Sequence, residues 1–123
     1  KCVMGAMDWV RVLPGETVLI LGGGPIGLYF IMLMKANGAG KIIVSEPSEY
    51  RAKYAMDCGA DIIIDPTKQN LAEEIAKITS GRGVDISVDA VGVLINDAIV
   101  NTCKGGRIVL MKQFAKTILC QKD

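Results

Sequence analysis

Apolar runs alternate along this chain with amphipathic stretches and glycine-rich breaks. The first run is the longest. From Val18 to Met34, 17 residues pass without one charge. A helix that crosses a bilayer needs ~20 mostly apolar residues and good helix formers. Here Gly22, Gly23, Gly24, Pro25 and Gly27 crowd the middle. Glycine costs about 1 kcal/mol in a helix interior and proline about 3 kcal/mol, so the run divides in two. Thr17 to Leu21 is apolar without alternation, the pattern of a strand buried on both faces. Pro25 suits a first helical position, and the helix runs on through Leu28 and Met34 to a stop at Gly38.

The same alternation continues. Lys41 to Val44 is a short apolar strand. Glu49 to Cys58 follows as a helix, with Ser48 as N-cap and Gly59 as stop. Asp61 to Asp65 is a third strand. Asn70 caps the next helix, with Glu73 at the capping-box position. Leu71, Ile75 and Ile78 share one face of it, and Glu73 and Lys77 make an i,i+4 pair outside. Val84 to Val88 is a fourth strand, Leu94 to Cys103 a helix closed by Gly105 and Gly106, and Arg107 to Met111 a fifth strand. Strands alternating with short helices predict βαβ units, right-handed crossovers and a parallel sheet.

The glycines between the first strand and helix carry candidate chemistry. Gly22-x-Gly24-x-x-Gly27 permits a tight turn, leaves room where a pyrophosphate approaches, and lets the helix pack close to the strand. The first-turn amides and the helix dipole then face an anion. By itself such a triad also serves as a ligand-free turn. The fingerprint further predicts an acid after the second strand, about 20 residues on. Glu46 stands there, 19 positions after Gly27. A carboxylate accepts hydrogen bonds from both hydroxyls of an adenosine ribose and repels a 2′-phosphate, which favours NAD over NADP. Arg51 follows in the first turn of the next helix, to flank the adenosine or to pair with Glu46, and it leaves room for weak NADP use.

Composition adds limits. At 123 residues the chain is one domain, and half of it is hydrophobic. The net charge of +1, with no basic block, points away from nucleic acid and from a membrane surface. No leader is read at the start, and the opening on Lys1 without a methionine suggests an excised piece. Cys2, Cys58, Cys103 and Cys120 are scattered, and histidine is absent. They read as small core hydrophobes in a reducing, cytoplasmic setting rather than as a zinc site. Without histidine, no Ser-His or Cys-His arrangement can form within the chain.

In order, Pro14-Gly15-Glu16-Thr17, GGGPIGL, IIVSEPSEYR, GADIIIDP, GVDISVDAVG and GGRIVLM resemble the cofactor domain of the medium-chain dehydrogenase/reductase superfamily. More narrowly they are similar to its zinc-dependent alcohol and polyol dehydrogenases, threonine- and butanediol-type members included. The resemblance covers about residues 3 to 111. It implies an α/β, three-layer Rossmann fold, a doubly wound parallel sheet of five strands, or six if the tail joins. It implies a dinucleotide-binding domain over residues 1–112 and a tail or extra edge strand over 113–123. It implies that Gly22, Gly24, Pro25, Ile26 and Gly27 hold pyrophosphate through the backbone, and that Glu46 and Arg51 line the adenosine ribose. Ala90, Val91 and Gly92 would flank the cofactor, and Leu110 and Met111 would approach its nicotinamide side.

The departures from that family are specific. Its catalytic domain surrounds this one in sequence, and both its zinc ligands and its structural-zinc cysteines are missing here. Zinc is therefore expected in a full-length enzyme and not in this chain, which is expected to be inactive alone. Lys112 stands where the family usually has glycine. The candidate sixth strand, Thr117 to Cys120, begins only five residues after Met111. A parallel crossover needs about a dozen or more. The tail is left to be disordered, to fold back antiparallel, or to pair with another chain. The helix from Pro25 is apolar on nearly every face, so an outside partner is expected to cover it, either the missing domain or a second copy in a homo-oligomer.

Three other functions compete. A methyltransferase also uses a glycine loop and an acid, but its loop usually lacks this Pro-Ile-Gly entry. A short-chain dehydrogenase would need Tyr-x-x-x-Lys, and Tyr50 and Lys53 are one residue too close. A scaffold would keep the fold and bind nothing.

Overall fold

The computed structural model describes residues 11–111 and 117–122. Strand β1 (Thr17–Leu21) leads through a glycine turn into helix α1 (Pro25–Ala36). There follow β2 (Lys41–Ser45), α2 (Glu49–Cys58), β3 (Ile62–Ile64), α3 (Leu71–Thr79), β4 (Val84–Asp89), α4 (Ile95–Asn101), β5 (Thr102–Met111) and β6 (Thr117–Gln121). The six strands form one sheet in the order β3-β2-β1-β4-β5-β6. The first five run parallel, and β6 lies antiparallel on β5.

Each inner strand is buried on both faces, and its alternate residues feed two separate cores. Val18 and Ile20 pack with Ile42, Val44 and Val88 beneath α1 and α2, where Phe30, Ile31, Met34 and Ala55 close the layer. Leu19 and Leu21 pack with Ile43, Ile64 and Ile108 on the other side, beneath Ile75 of α3 and Ala98 of α4. This is the expected three-layer sandwich, and the unalternating apolar runs are its cause. The N-caps are those the sequence predicts: Ser48 Oγ accepts from the Arg51 amide and Asn70 Oδ1 from the Glu73 amide. No helix of the described residues is long and apolar enough to cross a membrane.

Four local expectations need correction. Lys77 pairs with Glu74 at 3.3 Å, one residue closer than the expected Glu73. Strand β3 is shorter than Asp61 to Asp65 at both ends: Asp61 Oδ2 accepts from the Ile42 amide, and Asp65 Oδ1 accepts from the Thr67 amide in an exposed turn. Helix α4 stops at Asn101, and β5 begins at Thr102 rather than Arg107. Here Val84 faces Thr102 while Ile86 faces Arg107, so β5 carries extra residues in a bulge. Gly105, at φ 78°, and Gly106 lie inside that irregularity instead of ending the helix. A Cβ on Gly106 would stand 2.4 Å from Thr102 Cγ2, so the bulge leaves no room for a side chain there. Finally, α1 is not bare all round. Phe30, Ile31 and Met34 are buried, α2 packs beside it, and Tyr29 and Met32 are the large apolar side chains it exposes.

The tail takes one of the three courses left open to it: it folds back antiparallel, from the Met111–Thr117 pair to the Arg107–Gln121 pair. Lys122 Nζ then donates to the carbonyls of Ile99 and Thr102 at the end of α4. Cys58 and Cys103 are free thiols, the latter buried. Lys112 and Cys2 lie outside the described residues.

At the opposite end of the sheet from the glycine turn, Asp85 joins β4 to β1. Its Oδ2 accepts from the Thr17 amide at 2.9 Å, and its Oδ1 pairs with Arg82 at 2.6 Å. Burial alone would raise its pKa. The Thr17 amide, Arg82 and the more distant Arg107 outweigh that and hold the carboxyl below the usual carboxylate range. The folded pKa is thus depressed, so Asp85 contributes stability above its unfolded pKa of ~4 and loses it as pH falls through the folded value. Thermal melts of the parent chain and Asp85→Asn should differ most near neutrality. The gap should close as pH drops below ~4, and a constant gap down to strong acid would remove Asp85 from the acid response.

Candidate functional site

The C-terminal ends of the parallel strands gather the residues singled out in the sequence. Strand β1 lies between β2 and β4, so the chain leaves it first to one side and later to the other. Such a switch point opens a crevice beyond the strand ends. Gly22 makes the turn out of β1 at φ 105°, and its amide donates to the Ser45 carbonyl of β2. A Cβ on Gly27 would stand 2.1 Å from the Gly22 carbonyl oxygen, so α1 rests directly on the turn. Gly24 is different. It is the N-cap of α1, in extended backbone, and offers no side-chain cap. Among the described residues, the single atom within 4 Å of a Cβ placed there would be Arg51 Nη1 at 3.8 Å. The ground in front of Gly24 is open on the side where the helix dipole is positive. Pro25 follows with no amide, and Ile26 is half-buried against the core below. The residues thus fit a pyrophosphate: a bare N-cap, donors behind it, and space in front.

On the β2 side Glu46 is buried, with 5% of its surface exposed. Its Oε1 accepts from the Gly23 amide at 2.7 Å and its Oε2 from the Ser48 amide at 2.9 Å. Each oxygen keeps a second acceptor direction, so the carboxylate is oriented without being used up. Arg51 is exposed on the first turn of α2, beside Gly24, and makes no ion pair among the described residues. Of its two expected roles, pairing with Glu46 is not formed. A shallow groove of about 170 Å³ runs from Gly24 and Pro25 past Arg51 to Tyr50 and Tyr54. Those two rings meet edge to face at 5.0 Å. The hydroxyl contact with Tyr50, then burial, then Asp57 hold the Tyr54 phenol above its usual range.

On the β4 side, Ala90 donates to the Leu21 carbonyl, and Val91 leans over Gly22, its Cγ2 2.8 Å from where a Cβ would be. A Cβ on Gly92, whose φ is 101°, would stand as close to the Met111 carbonyl oxygen. Ala90 and Val91 therefore meet the glycine turn, and Gly92 meets the end of β5. Leu110 and Met111 arrive differently. Both side chains are buried, one in each core, so β5 presents its backbone end to the crevice.

A family model described as zinc-binding dehydrogenase matches residues 25–116. The chain belongs to the zinc-binding dehydrogenase family. It is 49% identical over 82 residues to scyllo-inosose 3-dehydrogenase of Thermotoga maritima, covering 67% of this chain and 21% of that protein. It is 39% identical over 113 residues to L-threonine 3-dehydrogenase of Pyrococcus furiosus, covering 89% of this chain and 32% of that one. Among solved structures, a Sinorhizobium meliloti protein described as a zinc-binding dehydrogenase, bound to NADP, superposes with a TM-score of 0.79 at 30% identity. That match covers 85% of this chain and 32% of the other. The chain thus spans between a fifth and a third of the length of these relatives.

What this dehydrogenase domain contributes is the nicotinamide-dinucleotide part of the family. Zinc does not fit it: the sequence has no histidine, and no three metal-ligating side chains converge among the described residues. Two residues of the dehydrogenase crevice carry more than their place in the sequence marks. Gly23 is not a fingerprint position, yet a Cβ there would meet the Glu46 carboxylate at 3.3 Å. Its signal was present as a third consecutive glycine. Asp89, within GVDISVDAVG, carries no mark of a role in the sequence. It is fully buried at the end of β4 and accepts from three backbone amides.

Proposed function

We propose that this chain holds NAD for an oxidoreductase that moves hydride between an alcohol or polyol and the nicotinamide. The observation that carries this is the joint placement of an open N-cap at Gly24 and an oriented, buried carboxylate at Glu46. NAD supplies the hydride acceptor when bound. The chain's own residues bind and aim it. The amides behind Gly24 take the pyrophosphate, aided by the helix dipole. Glu46 uses its remaining lone pairs for the ribose hydroxyls, while its charge opposes a 2′-phosphate. Arg51, unpaired with Glu46, flanks the same ribose and softens that discrimination. Val91 and Gly92 form the opposite wall. The alcohol or polyol substrate is inferred from the relatives, and its binding would fall to parts of the longer protein outside this chain.

Isothermal titration of the chain with NAD, NADP and S-adenosylmethionine tests the reading. NAD should bind, NADP should bind more weakly, and S-adenosylmethionine should give no heat of binding. Tighter binding of NADP would overturn the role of Glu46. Binding of S-adenosylmethionine alone would move the chain to the methyltransferases, and silence with all three would leave a scaffold.

A further inference from the structure

We propose that Asp89 is a positioning residue for the cofactor: it locks the turn from Ala90 to Leu94 so that Val91 stands over the glycine loop before any ligand arrives. The inference rests on the crevice being a dinucleotide site. The Asp89 side chain is fully buried. Its Oδ1 accepts from the Val91 amide at 3.0 Å and the Gly92 amide at 2.8 Å, and its Oδ2 accepts from the Leu94 amide at 2.7 Å. A buried carboxylate is costly unless it is hydrogen-bonded, and here three amides of one short turn supply the donors. The turn has no such reason of its own to adopt this shape. It holds Gly92 at φ 101° and leaves Val91 55% exposed and Val93 78% exposed. A turn free to relax would hide those valines. Asp89 instead keeps them on the rim, with Val91 against Gly22 and Gly92 against the end of β5.

The same arrangement appears across β1, where Glu46 ties down Gly23 and Ser48. The two buried carboxylates bracket the crevice from β2 and from β4. Glu46 is also placed to touch the ligand. Asp89 is wholly enclosed, so it acts only through the turn. Preorganised walls raise affinity because ordering is not charged to the binding step.

Asp89→Asn tests this. The amide keeps one acceptor but turns a donor toward the Leu94 N–H. With far-ultraviolet circular dichroism unchanged, NAD affinity should fall about tenfold, as expected for a wall that must now be ordered on binding. Asp89→Asn and Val91→Ala should not be additive: once the turn is loose, removing Val91 should cost little more. A merely structural aspartate would give independent, multiplying effects. In the unmutated chain without NAD, the amides of Val91, Gly92 and Leu94 should exchange slowly with deuterium, a measurement that needs no variant to fold. Parent-like NAD affinity in Asp89→Asn, additive losses, or rapid exchange of those amides would each overturn the proposal. If the unmutated chain binds no NAD, the dinucleotide reading itself fails and this inference fails with it.

Discussion

Gly27→Ala should destabilise the chain by about 3 kcal/mol or more, at the upper end for overpacking. The added Cβ would stand 2.1 Å from the Gly22 carbonyl oxygen and 3.0 Å from its carbon. Both are backbone atoms at the end of a strand paired on both sides, and no side-chain rotation relieves them. Helix α1 would have to lift away from β1. Phe30, Ile31 and Met34, all fully buried, would lose packing together. The lift would also carry Gly24 away from Glu46 and weaken the cofactor site. Gly81→Ala is the comparison. Unlike the helical Gly27, that glycine has positive φ, 82°, and nothing among the described residues lies within 4 Å of its added Cβ. It should cost only the local strain of ~1 kcal/mol. Urea denaturation of both variants measures the difference. Equal losses would mean that close helix–strand approach is not what position 27 requires.

Glu46→Ala should both weaken NAD and erase most of the preference over NADP. Two effects combine. The carboxylate is the acceptor for the Gly23 and Ser48 amides, and a buried donor left without a partner costs about 1–3 kcal/mol. It also carries the charge that opposes a 2′-phosphate, next to Arg51, which would then face the phosphate alone. Glu46→Gln separates the two. It keeps the shape and one acceptor but drops the charge. It should retain more of the parent stability while still narrowing the NAD preference. Titrations with both dinucleotides, beside thermal melts, decide it. If Glu46→Gln keeps the full parent preference, the charge of Glu46 is not the discriminator and the residue is only a brace between two turns.

Much of this was open to inspection in the chain itself, for a physical reason. Strand and helix types follow from side-chain spacing, and Thr17–Leu21, Pro25–Ala36 and Glu49–Cys58 fall where the pattern puts them. Ser48 and Asn70 cap helices because their oxygens need only reach an amide three residues on. The roles of Gly22 and Gly27 were legible because turn geometry and close packing leave no room for another residue. The antiparallel tail was narrowed to three courses by connection length alone.

Tertiary structure decided what depends on atoms distant in sequence. The start of β5 at Thr102 follows from a bulge against β4, and no local propensity marks a bulge. Lys77 chose Glu74 over Glu73, which spacing rules hardly distinguish. Leu110 and Met111 end β5 at the crevice, and alternation along the strand sends their side chains into opposite cores. Gly23 became part of the site because Glu46, 23 residues away, folds back onto its amide. Asp89 gained its place in the same way. A lone aspartate in a strand-ending motif carries no mark of its function. It is the parallel pairing of β4 beside β1 that buries its carboxylate under a turn and sets that turn against the glycine loop.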